Sequence, residues 1–344
     1  MTSISTKILY GSLGLALATT PTWADHREVM LEANATTSYV GFAQTANAAG
    51  DVNCDGFDDI IVGAPGLTGA AVFYGSATGR YNPLTGSANI PDWAVNPDFE
   101  FGFSVSAAGD VNGDNCDDVI IGAHQASNGS AQEGRAYVYH GSPSGLATTP
   151  AWVAESDQAN AWFGYSVSTA GDVNGDGYDD VIIGGYRYDD GENDEGIAMV
   201  FFGSATGLPD ADDDGIAHPG DAAWQATGNL SSANFGEAVA TAGDVNGDGY
   251  DDIVIGAPGY QVSQFQRGKA FVYFGSPSGP TSSGTADWSA ELGGDAGQAV
   301  ATAGDVNNDG YDDIIVGAPG FGNGQQWEGG AYVYRCGAPW RWQS

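Results

Sequence analysis

The chain is poor in positive charge. Only 9 Lys and Arg stand against 44 Asp and Glu in 344 residues, a formal net charge of −35. With no basic stripe to displace counterions, nucleic acid is excluded as a partner. An anionic membrane surface is disfavoured on the same ground. Cysteine is scarce, with three residues. An odd, small number rules out a full disulfide framework. The four histidines, His26, His124, His140 and His218, show no metal-type spacing. There is no uninterrupted apolar run of about 18 residues, so no transmembrane helix is expected. No convincing amphipathic helical stretch occurs either. Aromatics at 11% argue against disorder.

What is present is repetition. The segment AGDVNGDGYDDVIIGGY from Ala170 has counterparts from Ala49, Ala108, Ala242 and Ala303. Their leading acids are Asp51, Asp110, Asp172, Asp244 and Asp305, at intervals of 59, 62, 72 and 61 residues. The long interval holds an acidic insertion, Asp210 to Asp214. Upstream of each copy lies a Phe-Gly strand, clear at Phe101, Phe163 and Phe235 and weaker at Phe42-Ala43 and Ala296-Gly297. Downstream come an alternating strand such as AYVYHGS and then a Trp segment, at Trp93, Trp152, Trp224 and Trp288.

Each unit therefore offers four short strands separated by Gly, Pro, Ser and Asn. The DDIIVG strand is continuously apolar, as expected when both faces are buried. The Trp strand is more polar and reads as an edge. Repeats of about 60 residues with four strands predict an all-β fold, a β-propeller. Five repeats make either a five-bladed ring or part of a seven-bladed one. The propeller is assigned residues 19–336, with a C-terminal tail at 337–344. Residues 1–18 have two readings, a secretory leader or the start of a strand that closes the ring through Trp23.

The Asp-rich loop carries the chemistry. Oxygen side chains recur at positions one, three, five and nine, with Gly or Asn at position six. Four acids in nine residues repel one another unless a cation neutralises them. Calcium takes six to eight oxygens, including a backbone carbonyl, here from position seven. The expected ligand sets are Asp51, Asn53, Asp55, Phe57 and Asp59; Asp110, Asn112, Asp114, Cys116 and Asp118; and Asp172, Asn174, Asp176, Tyr178 and Asp180. The last two are Asp244, Asn246, Asp248, Tyr250 and Asp252, and Asp305, Asn307, Asp309, Tyr311 and Asp313. About five Ca2+ ions are expected. The bland reading is a set of Asx turns without metal. An EF-hand is excluded, because position twelve is Val62, Ile121, Ile183, Ile255 or Val316 in place of Glu. Asp210-Ala-Asp212-Asp213-Asp214-Gly215 begins in the same way but offers His218 at position nine, and is read as an acidic surface loop.

The Phe-Gly strand, the Asp loop and Gly-Ala-Pro at Gly63, Gly256 and Gly317 together resemble the FG-GAP repeats of the integrin α-subunit N-terminal propeller. That resemblance implies calcium on one face, secretion or cell-surface placement, and adhesion to an extracellular protein or glycan ligand. Integrin propellers have seven blades, and two copies here replace Pro with His124 and Tyr186. No catalytic set repeats, so an enzyme is not expected. The alternative is a carbohydrate-binding or accessory propeller of a secreted degradative system. Cys54 and Cys116 fall at positions four and seven of successive loops. A disulfide between them needs Cα atoms within about 7 Å, and two unpaired small residues is the reading taken. Cys336 is expected to be free.

Overall fold

A computed structural model describes residues 14–16, 28–30, 45–65, 69–77, 91–210, 215–263, 266–281, 284–322 and 328–337. Trp23 lies outside them, as does most of the 1–18 segment. Gly14–Ala16 pairs antiparallel with Glu28–Met30.

Five antiparallel sheets follow one another along the chain, each an up-and-down meander. Blade one comprises Thr45–Gly50, Asp59–Ala64, Gly69–Phe73 and Trp93–Val95. Blade two comprises Ser104–Gly109, Asp118–Ala123, Arg135–Tyr139 and Trp152–Glu155. Blade three comprises Ser166–Gly171, Asp180–Gly185, Ile197–Phe201 and Trp224–Thr227. Blade four comprises Ala238–Gly243, Asp252–Ser263, Gln266–Tyr273 and Trp288–Glu291. Blade five contributes Ala299–Gly304, Asp313–Ala318 and Gly330–Tyr334. The only helix among the described residues is a 3-10 turn at Pro219–Asp221. The sequence-based blade order holds, and the Trp strand is an edge in all four sheets that show it.

Period-two alternation explains how a single sheet serves two cores. Successive side chains of a strand point to opposite faces, and in a propeller each face meets a different blade. Val119, Ile121, Tyr137 and Tyr139 enter the core shared with blade one. Ile120, Ala136 and Val138, interleaved with them, enter the core shared with blade three. The third strand is therefore buried on both sides, as the second is. Four such inter-blade cores join five blades. Among the described residues no core joins blade five to blade one. The outward side chains of blade five show it, with Val306 and Val333 exposed at 56% and 42%.

The tryptophans lock neighbours together. The Trp93 indole N–H donates to the Ala147 carbonyl of the next blade at 2.7 Å. Trp152 reaches Pro209 and Trp224 reaches Thr281, both at 2.8 Å. Each ring meets an aromatic of the following blade edge-on, Trp152 on Phe201 at 4.9 Å being typical. The glycines of the repeat also meet across blades. A methyl group on Gly122 would lie 1.9 Å from the Gly164 carbonyl oxygen, so only glycine permits that approach.

Phe101, Phe163 and Phe235 are fully buried. Phe163→Ala is expected to cost about 3–5 kcal/mol, the usual loss for emptying a large aromatic site. Urea denaturation measures it, and a loss below about 1 kcal/mol would refute the role given to this ring.

Candidate metal-binding loops and inter-blade clamps

Each Asp loop connects the first and second strands of its blade, so all five lie at the same blade end. A β-bulge introduces each loop, between Thr169 and Gly171 in blade three and at the same place in the others. The bulge turns the chain so that the loop folds back on its own acids.

The loop from Asp172 shows the pattern. Its Oδ1 accepts the amides of Gly175 at 2.7 Å and Asp176 at 3.1 Å, and its Oδ2 accepts Gly177 at 2.9 Å. Asn174 Oδ1 accepts the Asp176 amide, and its Nδ2 donates to Asp176 Oδ2 at 3.0 Å. Asp176 Oδ1 accepts the Tyr178 amide. The side chains at positions one, three and five are thus brought together on one exposed surface. These are Asx-turn hydrogen bonds, and they leave lone pairs on each oxygen.

Position nine differs. Asp59, Asp118, Asp180, Asp252 and Asp313 are buried beneath the loop. Each takes one backbone amide per oxygen. In Asp180, Val173 donates to Oδ2 at 3.0 Å and Gly203 to Oδ1 at 2.9 Å. The carboxylate ties the loop to the Gly-Ser turn after the third strand. Positions one, five and nine do not bring three ligand oxygens within 4.8 Å of one another; among the described residues only Glu155, Asp157 and His218 form such a group.

Burial pushes the Asp59 carboxyl up to about 6 and those of Asp118, Asp180 and Asp252 up to about 8. The acids at positions one and five add to the rise, while the two amide donors oppose it.

Sequence reasoning passed over position eight. Asp179 Oδ2 accepts the amide of Asp110 in the preceding blade at 2.8 Å, and its own amide returns a bond to the Asp110 carbonyl at 3.2 Å. Asp117, Asp251 and Asp312 clamp Asp51, Asp172 and Asp244 in the same way. The signal was the doubled Asp in all five copies, of which ligand counting used only one.

The cysteines correct an expectation. Cys54 and Cys116 form a disulfide, with Cα atoms 5.2 Å apart. In the next three blade pairs position four is Gly113, Gly175 or Gly247, against the ring of Tyr178, Tyr250 or Tyr311 at position seven. The disulfide replaces that contact in the first pair. Cys336 is free, as expected, yet buried, and its amide caps Asp313 Oδ1 at 2.8 Å.

At the opposite blade end, the two replacements of Gly-Ala-Pro join an aromatic cluster. His124 packs on Phe103 at 3.9 Å and Tyr186 on Tyr165 at 4.6 Å, with Trp162 between them. Burial lowers the His124 imidazole to about 4, so it is neutral at physiological pH.

Radial four-stranded sheets, glycines interlocked across blades and an acidic loop at one end of every sheet define a repeat propeller. The FG-GAP repeat matches residues 43–79, 101–139, 163–201, 235–273 and 296–334, and the chain belongs to that family. It is 35% identical to integrin alpha-PS2 of Drosophila melanogaster over 190 residues, 54% of this chain and 12% of that protein. It is 31% identical to integrin alpha-V of Gallus gallus over 243 residues, 68% of this chain and 21% of the relative. The chain thus spans less than a quarter of the length of both relatives. The rhamnogalacturonan lyase YesX aligns with 92% of this chain and 58% of its own, at 11% identity and a TM-score of 0.40.

Two outcomes are expected. Replacing both Cys54 and Cys116 by Ser is expected to lower stability by about 2–4 kcal/mol, read from denaturant midpoints; an unchanged midpoint would count against the cross-link. In buffer stripped of divalent ions, the folded chain holds protons on Asp118, Asp180 and Asp252 that the unfolded chain releases near pH ~4. Stability should therefore fall as pH rises from about 4 to about 8, and Asp180→Asn should flatten the slope. A profile that rises over this range refutes the assignment.

Proposed function

We propose that the chain is a calcium-stabilised, integrin-α-like recognition module that binds an extracellular protein or glycan ligand and carries out no catalysis. The supporting observation is the five-fold recurrence of an exposed Asp-Asn-Asp surface above a buried carboxylate. Each such loop concentrates negative charge that a divalent ion offsets, and its oxygens suit a hard cation. The residues that would hold the ions are those at positions one, three, five, seven and nine, as in Asp172, Asn174, Asp176, Tyr178 and Asp180. Binding there joins the loop, the strand pair and the Gly-Ser turn, so ion-binding energy becomes folding energy.

Placement outside the cytosol draws on the integrin likeness and on the Cys54–Cys116 disulfide, since such bonds persist in oxidising compartments. Among the described residues no helix is long and apolar enough to cross a membrane. The aromatic cluster around Trp162, with the Arg187 guanidinium 4.6 Å from its ring centre, is the candidate ligand face.

Calcium is expected to raise the melting temperature well beyond a matched rise in ionic strength, with about five ions bound by equilibrium dialysis. Magnesium should do less. Asp176→Asn should remove about one ion and leave the others. A melt indifferent to calcium refutes the proposal.

A further inference from the structure

The segment that follows Gly215 reaches back to the preceding blade. Ala217 donates its amide to the Val153 carbonyl at 2.8 Å, and its carbonyl accepts the Glu155 amide at 3.0 Å. This parallel bridge lays the segment at Ala217 along the outer Trp strand of blade two. Residues on both sides are thereby held in register. His218, the next residue, faces Asp157, with Nδ1 3.0 and 3.1 Å from the two carboxylate oxygens.

Glu155 completes the group. Its side chain is buried, the residue being 4% exposed. Arg135 and Asn128 all bond to one of its oxygens, Oε2, at 2.8 to 3.2 Å. Oε1 accepts no hydrogen bond among the described residues. Ligand atoms of Glu155, Asp157 and His218 lie within 4.8 Å of one another. Strands alternate in direction within a blade, so this group sits at the end opposite the Asp loops.

Arg135 is shared between Glu155 and Asp98. One guanidinium thus serves two carboxylates. A cavity of about 450 Å³ has Pro219 and Gly220, the residues that follow His218 in the chain, in its lining together with Tyr188, Asp190 and Gln225.

We propose that Glu155, Asp157 and His218 bind a divalent transition-metal ion of the zinc class, separate from the calcium sites. One imidazole nitrogen with two carboxylate oxygens suits such an ion. Calcium is poorly served, because it takes six to eight oxygens. The nitrogen–oxygen separation of 3.0 Å between His218 and Asp157 is close to the edge of about 3.3 Å expected in a tetrahedral site with bonds near 2.0 Å. Three protein ligands leave a fourth position for water or a donor group of a bound molecule. The ion would fasten the segment around His218 to the edge of blade two.

Cobalt(II) titration of the full chain in millimolar calcium tests this, because calcium occupies the Asp loops and the d–d absorption reports cobalt alone. About one equivalent is expected, displaced by zinc, with affinity at least ~10-fold weaker in His218→Ala and in Asp157→Asn. Circular dichroism of metal-free variants shows whether they fold, and two independent variants guard against one that does not. No cobalt binding in calcium, or binding undiminished in both folded variants, overturns the proposal. Neither result bears on the calcium loops, whose occupancy the melt reads separately.

Discussion

A buried carboxylate that accepts two backbone amides lies at the root of every blade. In Asp180 one oxygen holds the amide of Val173 at the loop entrance, and the other holds Gly203 after the third strand. Three strands are thereby tied at one point. Burying such a group is costly unless it is hydrogen-bonded, and here the bonds come from the backbone, whose amides would otherwise lack partners. The acidic loop above it adds carboxylates that repel it. The structure resolves that conflict locally with amide donors and, on the function proposed here, globally with cations. The net charge of −35 is in large part a consequence of repeating this arrangement five times.

The same short segment also builds the contacts between blades. Position eight reaches back to position one of the preceding loop, position seven packs on position four, and a Gly-Ser amide bonds to position two, as Ser204 does to Val111 at 3.0 Å. Each repeat therefore carries both halves of its interface. Stability in such arrays is close to a sum of unit terms and nearest-neighbour terms. Sharing the sheets of blades two, three and four between two cores each makes the neighbour terms large.

Much of this was legible in the sequence. Blade order, strand count and loop positions followed from periodicity, because a repeat in register constrains local structure strongly. What escaped was whatever depended on a partner one blade away. Asp179 looks like a spare acid until Asp110 is placed against it, 69 residues distant. Cys54 and Cys116 look isolated for the same reason. The sequence places them at unlike positions, four and seven, and only the inter-blade register makes those positions neighbours. His218 was read as part of its own acidic insertion, whereas its partner is Asp157 of the adjoining blade. The proposed metal-ligand sets rest on the pattern of residue types alone. The hydrogen bonds show that positions one, three and five share a surface and that position nine lies below it.

The disulfide makes the molecule directional. Four successive interfaces have closely related geometry, but only the first is covalent. Blades one and two behave as one mechanical body, while blade five has apolar side chains on its outer face and a single neighbouring blade among the described residues. A pulling force that separates the described blades would part the three non-covalent interfaces before the one the disulfide spans. The stapled pair would then be the last two blades to come apart.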